Sequence, residues 1–250
     1  MEVHHHPDVH HKRKQFKEYF LEFLMIFLAV TMGFFAENIR EGFADRAKEN
    51  EFMESMIGDL KADTAATGIA VARWHKANLN LDSILYYLNR GIEPASISSL
   101  YGLQRKDFFH FDLFKYSNKT IEELKSSGSF RLIKNKSIAD KIMAYDVDMK
   151  YILIQEQDVK DFRNASQNLE IKIFDYTELN LDRYIDNKMF FTKKDSTYHL
   201  LSYDKRLIGE YYNQMLVFHV LAIIHEDLFK EIKIKATNLL ESIHNEYGSE

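Results

Sequence analysis

From Phe23 to Ala36 the chain carries no charged residue, and extending back to Tyr19 adds only Glu22. Positions 19–36 make a helix roughly 27 Å long, enough for the hydrocarbon core of a bilayer. The stretch is apolar on every side, whereas a surface helix keeps one polar face. The pattern predicts a transmembrane helix over 19–36. A buried helix of a soluble core is the alternative with the same composition. A cleaved signal needs small residues before its cut site, and Phe34 and Phe35 stand there instead, so the expectation is an uncleaved anchor.

A second pattern runs far past the first. Met53, Ile57, Leu60, Thr64, Thr67, Val71, Trp74, Asn78, Leu81, Leu85 and Leu88 alternate by four and three. That is a heptad seam, the spacing of left-handed helix packing. It predicts a stalk-like helix over about 44–90 that begins near Ala44 or continues straight out of the membrane helix. Gly91 and Pro94, residues expected just past a helix end, close it. Thr64, Thr67 and Asn78 interrupt the seam, and polar seam residues fix register at some loss of stability. Trp74, on the same seam, reads as core. A helix of the same chain or one from a second copy satisfies the pattern equally.

Further on, Thr120 and Glu123 have capping-box spacing for a short helix, which Ser126, Ser127 and Gly128 break. Another helix is expected from about Asn135–Ser137 to Ile173, with Ile138, Ile142, Tyr145, Met149, Ile152, Val159 and Phe162 facing inward. Met189 to Phe191 reads as a short apolar element after a connection rich in Tyr and Asp. The last helix is expected from near Tyr203 to about His244. Its uncharged run from Met215 to Ile224 is short for a span, so a core helix is preferred.

Composition sharpens this outline. There are only 2 Pro and 9 Gly in 250 residues, which favours long uninterrupted helices. The fold class predicted is all-α: an N-terminal transmembrane helix followed by an elongated bundle of three to four long helices, 37–250. Cysteine is absent, which excludes disulfides and thiolate metal sites. The net charge of −5 makes the body a poor nucleic-acid surface, so no nucleic-acid partner is expected.

Charge also bears on orientation. Lys12, Arg13, Lys14 and Lys17 flank the span on its N-terminal side; Arg40, Arg46 and Lys48 follow it, diluted by acids. Basic flanks stay cytoplasmic, so the N-terminus is expected inside and the body outside a bacterial inner membrane, in the periplasm. The tail, 1–18, holds His4, His5, His6, His10 and His11. Histidine tracts bind metals loosely, but nothing here fixes a geometry, and a flexible cationic tail on anionic headgroups is the preferred reading.

One face of the span stands out. Glu22, Ile26, Ala29, Gly33 and Ala36 recur three or four apart, and Ala29-x-x-x-Gly33 is a small-xxx-small pair that lets a second helix approach closely. A helix contact with Glu22 at the membrane edge is one reading. Ordinary span composition, with Glu22 reaching the headgroups, is the other. Candidate chemistry is thin. Arg105 and His110 have the R-x4-H spacing of helical ribonucleases of the HEPN type, and Glu241-x-x-His244 has the spacing of a di-iron bundle ligand pair. For the first, the spacing is the only match; the second needs two such pairs and two further carboxylates, and one pair is present. No catalytic residue, metal or cofactor is expected; besides His110 and His244, the body histidines His75, His199, His219 and His225 are the ones to test.

Two stretches together, KEYFLEFLMIFLAVTMGFFAENIRE and TIEELKSSGSFRLIKNKSIADKIMAYD, resemble a bacterial family of single-pass, membrane-anchored proteins defined by a domain of unknown function. The resemblance covers most of the chain and implies a helical body on an N-terminal anchor. It carries over no catalytic residue. The function expected is a membrane-anchored interaction, scaffold or accessory protein without catalysis, a homo-oligomer or a subunit beside another membrane protein. The alternative is an extracytoplasmic ligand-binding sensor that signals through a partner.

Overall fold

A computed structural model describes residues 16–107, 114–185, 188–193 and 198–248. The histidine tail and His110 lie outside these residues. Five α-helices carry the fold: α1 Phe16–Arg90, α2 Pro94–Asp107, α3 Lys119–Ser126, α4 Lys136–Ile173 and α5 Lys205–Tyr247. Between α4 and α5 two strands, β1 Leu179–Ile185 and β2 Lys188–Lys193, pair antiparallel with a bulge between Leu181 and Arg183. The helical prediction holds for the long elements. The ribbon adds to it, and the element expected at Met189–Phe191 is its second strand.

The chain divides into two compact units, Met1–Glu51 and Phe52–Glu250. In the first, α1 is one unbroken helix from Phe16 onward. The anchor expected at 19–36 and the stalk expected at about 44–90 are therefore the same helix, with no turn to separate them. No proline falls between 36 and 44, and the lone Gly42 there is tolerated within the helix.

In the second unit, three long helices form the core: the part of α1 from Phe52, α4 and α5. Asp63 and Arg73 of α1 bond Tyr145 and Glu156 of α4, so these two helices run the same way. Asn78 bonds Glu226, and Asp82, one turn later on α1, faces His219, two turns earlier on α5, so α5 runs antiparallel. Met53, Met56, Leu60, Trp74, Leu81, Ile142, Met149, Met215, Phe229 and Leu239 are among the buried side chains they share. Each such aliphatic or aromatic burial is worth about 1.5–3 kcal/mol against an exposed chain.

The seam closes within the chain. Leu60, Thr67, Trp74, Asn78, Leu81, Leu85 and Leu88 are buried as the heptad predicts. Its intermediate positions Ile57, Thr64 and Val71 are only half-buried, and Met56, Asp63 and Ala70, one residue earlier, take the centre. A heptad line drawn on a straight helix drifts by about 20° per repeat, which is enough to exchange such neighbours.

Helix ends follow local chemistry. α1 stops at Arg90 because Gly91 takes φ +87°, a left-handed conformation that only glycine adopts without strain. Pro94 then opens α2, where its missing N–H is no loss. Asn135 caps α4 by accepting from the Ile138 N–H, and Asp204 caps α5 by accepting from the Arg206 N–H. α3 departs from expectation. Thr120 lies inside the helix and is buried, and its predicted capping box with Glu123 is not made. Asp59 of α1 does that work instead, accepting the Thr120 N–H at 3.1 Å. The short helix is capped by another helix, which no reading of its own eight residues reveals.

Candidate membrane anchor and interhelical contacts

The anchor candidate is built from the first turns of α1. Its most apolar window has mean hydropathy 2.0, and none of that window is buried against protein. Phe20, Phe23, Ile26, Phe27, Met32, Phe34 and Phe35 are all more than half exposed. A core helix of a soluble protein of this hydropathy buries its surface. Among the described residues nothing covers it, unlike the surface of a core helix. Its polar groups are satisfied within the helix: the Thr31 hydroxyl donates to the Phe27 carbonyl at 2.7 Å. Just past the apolar run, Glu37 and Arg40 form an exposed pair at 2.5 Å.

On the small-residue face, Ile26, Ala29 and Ala36 are exposed, and a Cβ placed on Gly33 would meet nothing within 4 Å. Glu22 is half-buried and partnered. The face is thus open from Ile26 to Ala36.

In the bundle, the buried acids do most of the joining. Asp63 accepts the Ser117 N–H at 2.7 Å and the Tyr145 hydroxyl at 2.8 Å. Burial pushes its carboxyl above the usual range, and those two bonds partly offset the rise. Glu156 accepts the Phe114 N–H at 2.6 Å and Arg73 at 3.1 Å, and is likewise raised by burial. Asp146 accepts from Tyr116 at 3.0 Å, Lys150 at 3.2 Å and Lys125. Burial works against its ionisation, but these three donors outweigh it and hold the carboxyl below its usual range. Together with Asp59, two of these acids, Glu156 and Asp63, grip the backbone N–H groups of Thr120, Phe114 and Ser117 in turn. An irregular connection is thereby fastened to helices α1 and α4.

A second cluster joins α1 to α5. Asn78 donates to Glu226 at 2.7 Å and to the Ala222 carbonyl at 3.4 Å. Glu226 also meets Lys230 at 2.8 Å and His75 at 3.2 Å, and the lysine chiefly holds its carboxyl below the usual range. Trp74 packs against the His225 ring at 4.9 Å. His225 is fully buried, and burial lowers its pKa. The ring is therefore neutral, with Nδ1–H donating to the Leu221 carbonyl at 3.1 Å. His219, expected in the core, is mostly buried and lies 3.4 Å from Asp82.

A third cluster sits at the root of the ribbon. The Tyr101 hydroxyl donates to the His199 carbonyl at 2.7 Å and accepts the Asp175 N–H at 2.6 Å. Phe174 and Leu200 form a bridge beside it, and Tyr101 stacks on Tyr198. Glu170, buried under this root, accepts from Tyr176. Burial raises its pKa to about 7 against the opposing effects of Tyr176 and Arg163.

The predicted register residues fare unequally. Asn78 reaches another helix and Trp74 is core, as expected. Thr64 and Thr67 do not cross: their hydroxyls donate to carbonyls of their own helix, Thr64 to Leu60 at 2.7 Å and Thr67 to Asp63 at 2.8 Å. The residues missed were Asp59, Asp63, Asp146, Glu156 and Glu226. Glu156 had a legible signal, since it continues the inward line of Ile152 and Val159 at spacings of four and three. Asp63 stood one residue off the predicted seam. Arg105 lies in α2, and its proposed partner His110 is outside the described residues. Glu241 and His244 gain no third ligand: among the described residues no group of three or more His, Asp or Glu side chains converges.

The class these observations define is a three-helix bundle whose first helix begins as an uncovered apolar segment. No family model, curated protein or solved structure matches the chain.

Proposed function

We propose that this chain is a single-pass membrane protein whose helical body is an interaction or accessory module, self-associating or joined to another membrane protein. The observation that carries the reading is the apolar opening of α1, with mean hydropathy 2.0 and no protein cover. A surface of that kind in water would aggregate; in a bilayer it is satisfied. The open Ala29–Gly33 face adds a place for a second helix. The body's buried acids support a non-catalytic role, because they are spent on backbone N–H groups and on neighbouring helices. The basic flank of the span favours a cytoplasmic N-terminus and an extracytoplasmic body, and the resemblance to anchored bacterial proteins agrees.

Two measurements test the reading. Alkaline carbonate should leave the full chain in the membrane pellet, and its release would remove the anchor. Gly33→Leu should weaken cross-linking between copies or to a partner in native membranes several-fold, because a leucine side chain keeps the helices apart. Unchanged cross-linking would remove the small-residue contact.

One observation favours the sensor as a second reading. A groove of about 670 Å³ lies between the end of α1 and the start of α5, lined by Leu88, Gly91, Ile92, Tyr203, Ile208 and Tyr212 among others. Its volume is within the range of small-molecule sites, about 300–1,000 Å³. Native mass spectrometry of gently extracted protein separates the readings. A defined oligomer or a co-purified protein supports the first, and a monomer carrying a small molecule supports the second.

A further inference from the structure

Helix α5 carries an apolar face that stays open among the described residues. From Tyr211 to His225 it has no Asp, Glu, Lys or Arg. Its inner side, with Met215, Phe218 and Ala222, is buried in the bundle. Its outer side is also apolar: Leu216, Val217, Val220, Ile223 and Ile224 are each 43–51% exposed. That is why the helix has the length and hydropathy of a span while only 22% of its most apolar window is buried. Five adjoining aliphatic side chains on one open helix face make a patch that a body surrounded by water does not leave bare without a use.

We propose that this face is where a second copy of the chain docks, α5 against α5 in parallel. The inference rests on the anchored, self-associating reading above and names the contact in the body. The residue pattern fits a two-stranded parallel seam. Asn213, Val220 and Asp227 fall seven apart, and Leu216 and Ile223 fall between them. A β-branched residue at the first position with leucine at the second favours two strands, and a single asparagine in the seam sets register. Val220 and Leu216 meet the first condition and Asn213 the second, while Ile223, β-branched at the second position, departs from it. Asp227 ends the apolar run, and Lys230, 3.1 Å away, offsets the meeting of two carboxylates there.

Area points to a tethered partner. Five half-exposed aliphatic side chains offer roughly 400 Å² per copy, about half the ~800 Å² per partner of a standard stable interface. Such a contact is weak between free molecules. Between copies held in one bilayer, the effective concentration raises it without any new contact.

The chain has no cysteine, so single cysteines report cleanly. In membranes carrying the full chain, Val220→Cys and Leu216→Cys should each give a dimer with a short bismaleimide, several-fold above Lys172→Cys on the exposed side of α4. Dimers that form only when Leu216→Cys and Ile224→Cys chains are mixed would overturn the parallel arrangement. Dimers no stronger than those of the control would overturn the contact. So would quenching of a fluorophore at Val220→Cys by a lipid-soluble quencher, which would place the face on lipid. An Ala29→Cys dimer without a Val220→Cys dimer would sink this inference while leaving self-association through the span intact. Release of the chain by carbonate would remove both.

Discussion

At the scale of the residue, the informative positions are buried polar side chains. Asn78 supplies one of the donors that hold Glu226 ionised beneath the α1–α5 contact. Asn78→Leu should therefore cost about 1–3 kcal/mol, the penalty for leaving a buried acceptor short of a partner. Urea unfolding followed by the single Trp74 measures it, since that residue sits one turn away in the same interface. A loss below a few tenths of a kcal/mol would mean that water replaces the amide. Glu170 makes a prediction about pH. Its carboxyl titrates at about 7 in the folded protein against 4.5 for an ordinary glutamate. Between those values the folded state holds a proton that the unfolded chain has released. Stability from this group is therefore full below pH 4.5, falls as the pH rises towards 7, and is flat above. The difference amounts to roughly 3 kcal/mol. Glu170→Gln keeps an acceptor for Tyr176 and removes the charge. Its stability relative to the wild type should be more favourable at pH 8 than at pH 5, and an equal effect at both would count against a buried proton here. Arg163 is the cation that opposes the shift, and Asp63 and Glu156 titrate in both proteins and cancel in the comparison.

At the scale of the element, the long helices were readable and the pieces between them were not. α4 was expected to begin at about 135–137 and end near Ile173, and it does, because an Asn cap and a strict inward line act within the segment itself. α5 was placed within a few residues at either end for the same reason. The ribbon between them lacked such a signal. Its strands carry Asn, Asp, Arg and Lys among their apolar residues, and their pairing becomes visible only from the register of both. What closes this connection is Tyr101, from a different helix. Tyr101→Phe removes its bonds to Asp175 and His199 and keeps the ring against Phe174 and Tyr198. Limited proteolysis should then cut between 175 and 199 several-fold faster, with helix content by circular dichroism unchanged. A cutting rate equal to the wild type would show that the Phe174–Leu200 bridge alone holds the root.

At the scale of the whole molecule, two apolar surfaces of different kinds organise the protein. The first lies on the opening turns of α1 and is uncovered all round. The second is the heptad seam of the same helix, and it is covered by α4 and α5. The seam had been a candidate surface for a second copy, and its burial within the chain withdraws it from that role. The Ala29–Gly33 face and the outer side of α5 are among the surfaces that stay open to association. The Gly33→Leu and Val220→Cys experiments address these separately, so the membrane segment and the body can be credited or dismissed one at a time.

The sequence by itself determined the features that depend on a few neighbouring residues. Those are the uncharged run of 19–36, the 3–4 periodicity of the long helices, their Asn, Asp and Gly boundaries, and the absence of cysteine chemistry. Tertiary structure alone decided which of the neighbouring residues on α1 take the centre of the core. It replaced Thr64 by Asp63, gave α3 its cap from Asp59, and turned buried acids into fasteners for a loop. The physical reason is one of range. Periodicity and capping act over one or two turns, whereas a buried carboxylate is tolerated where the fold brings it donors, some of them 40 or more residues away in the chain, as Phe114 is for Glu156 and Asn78 is for Glu226.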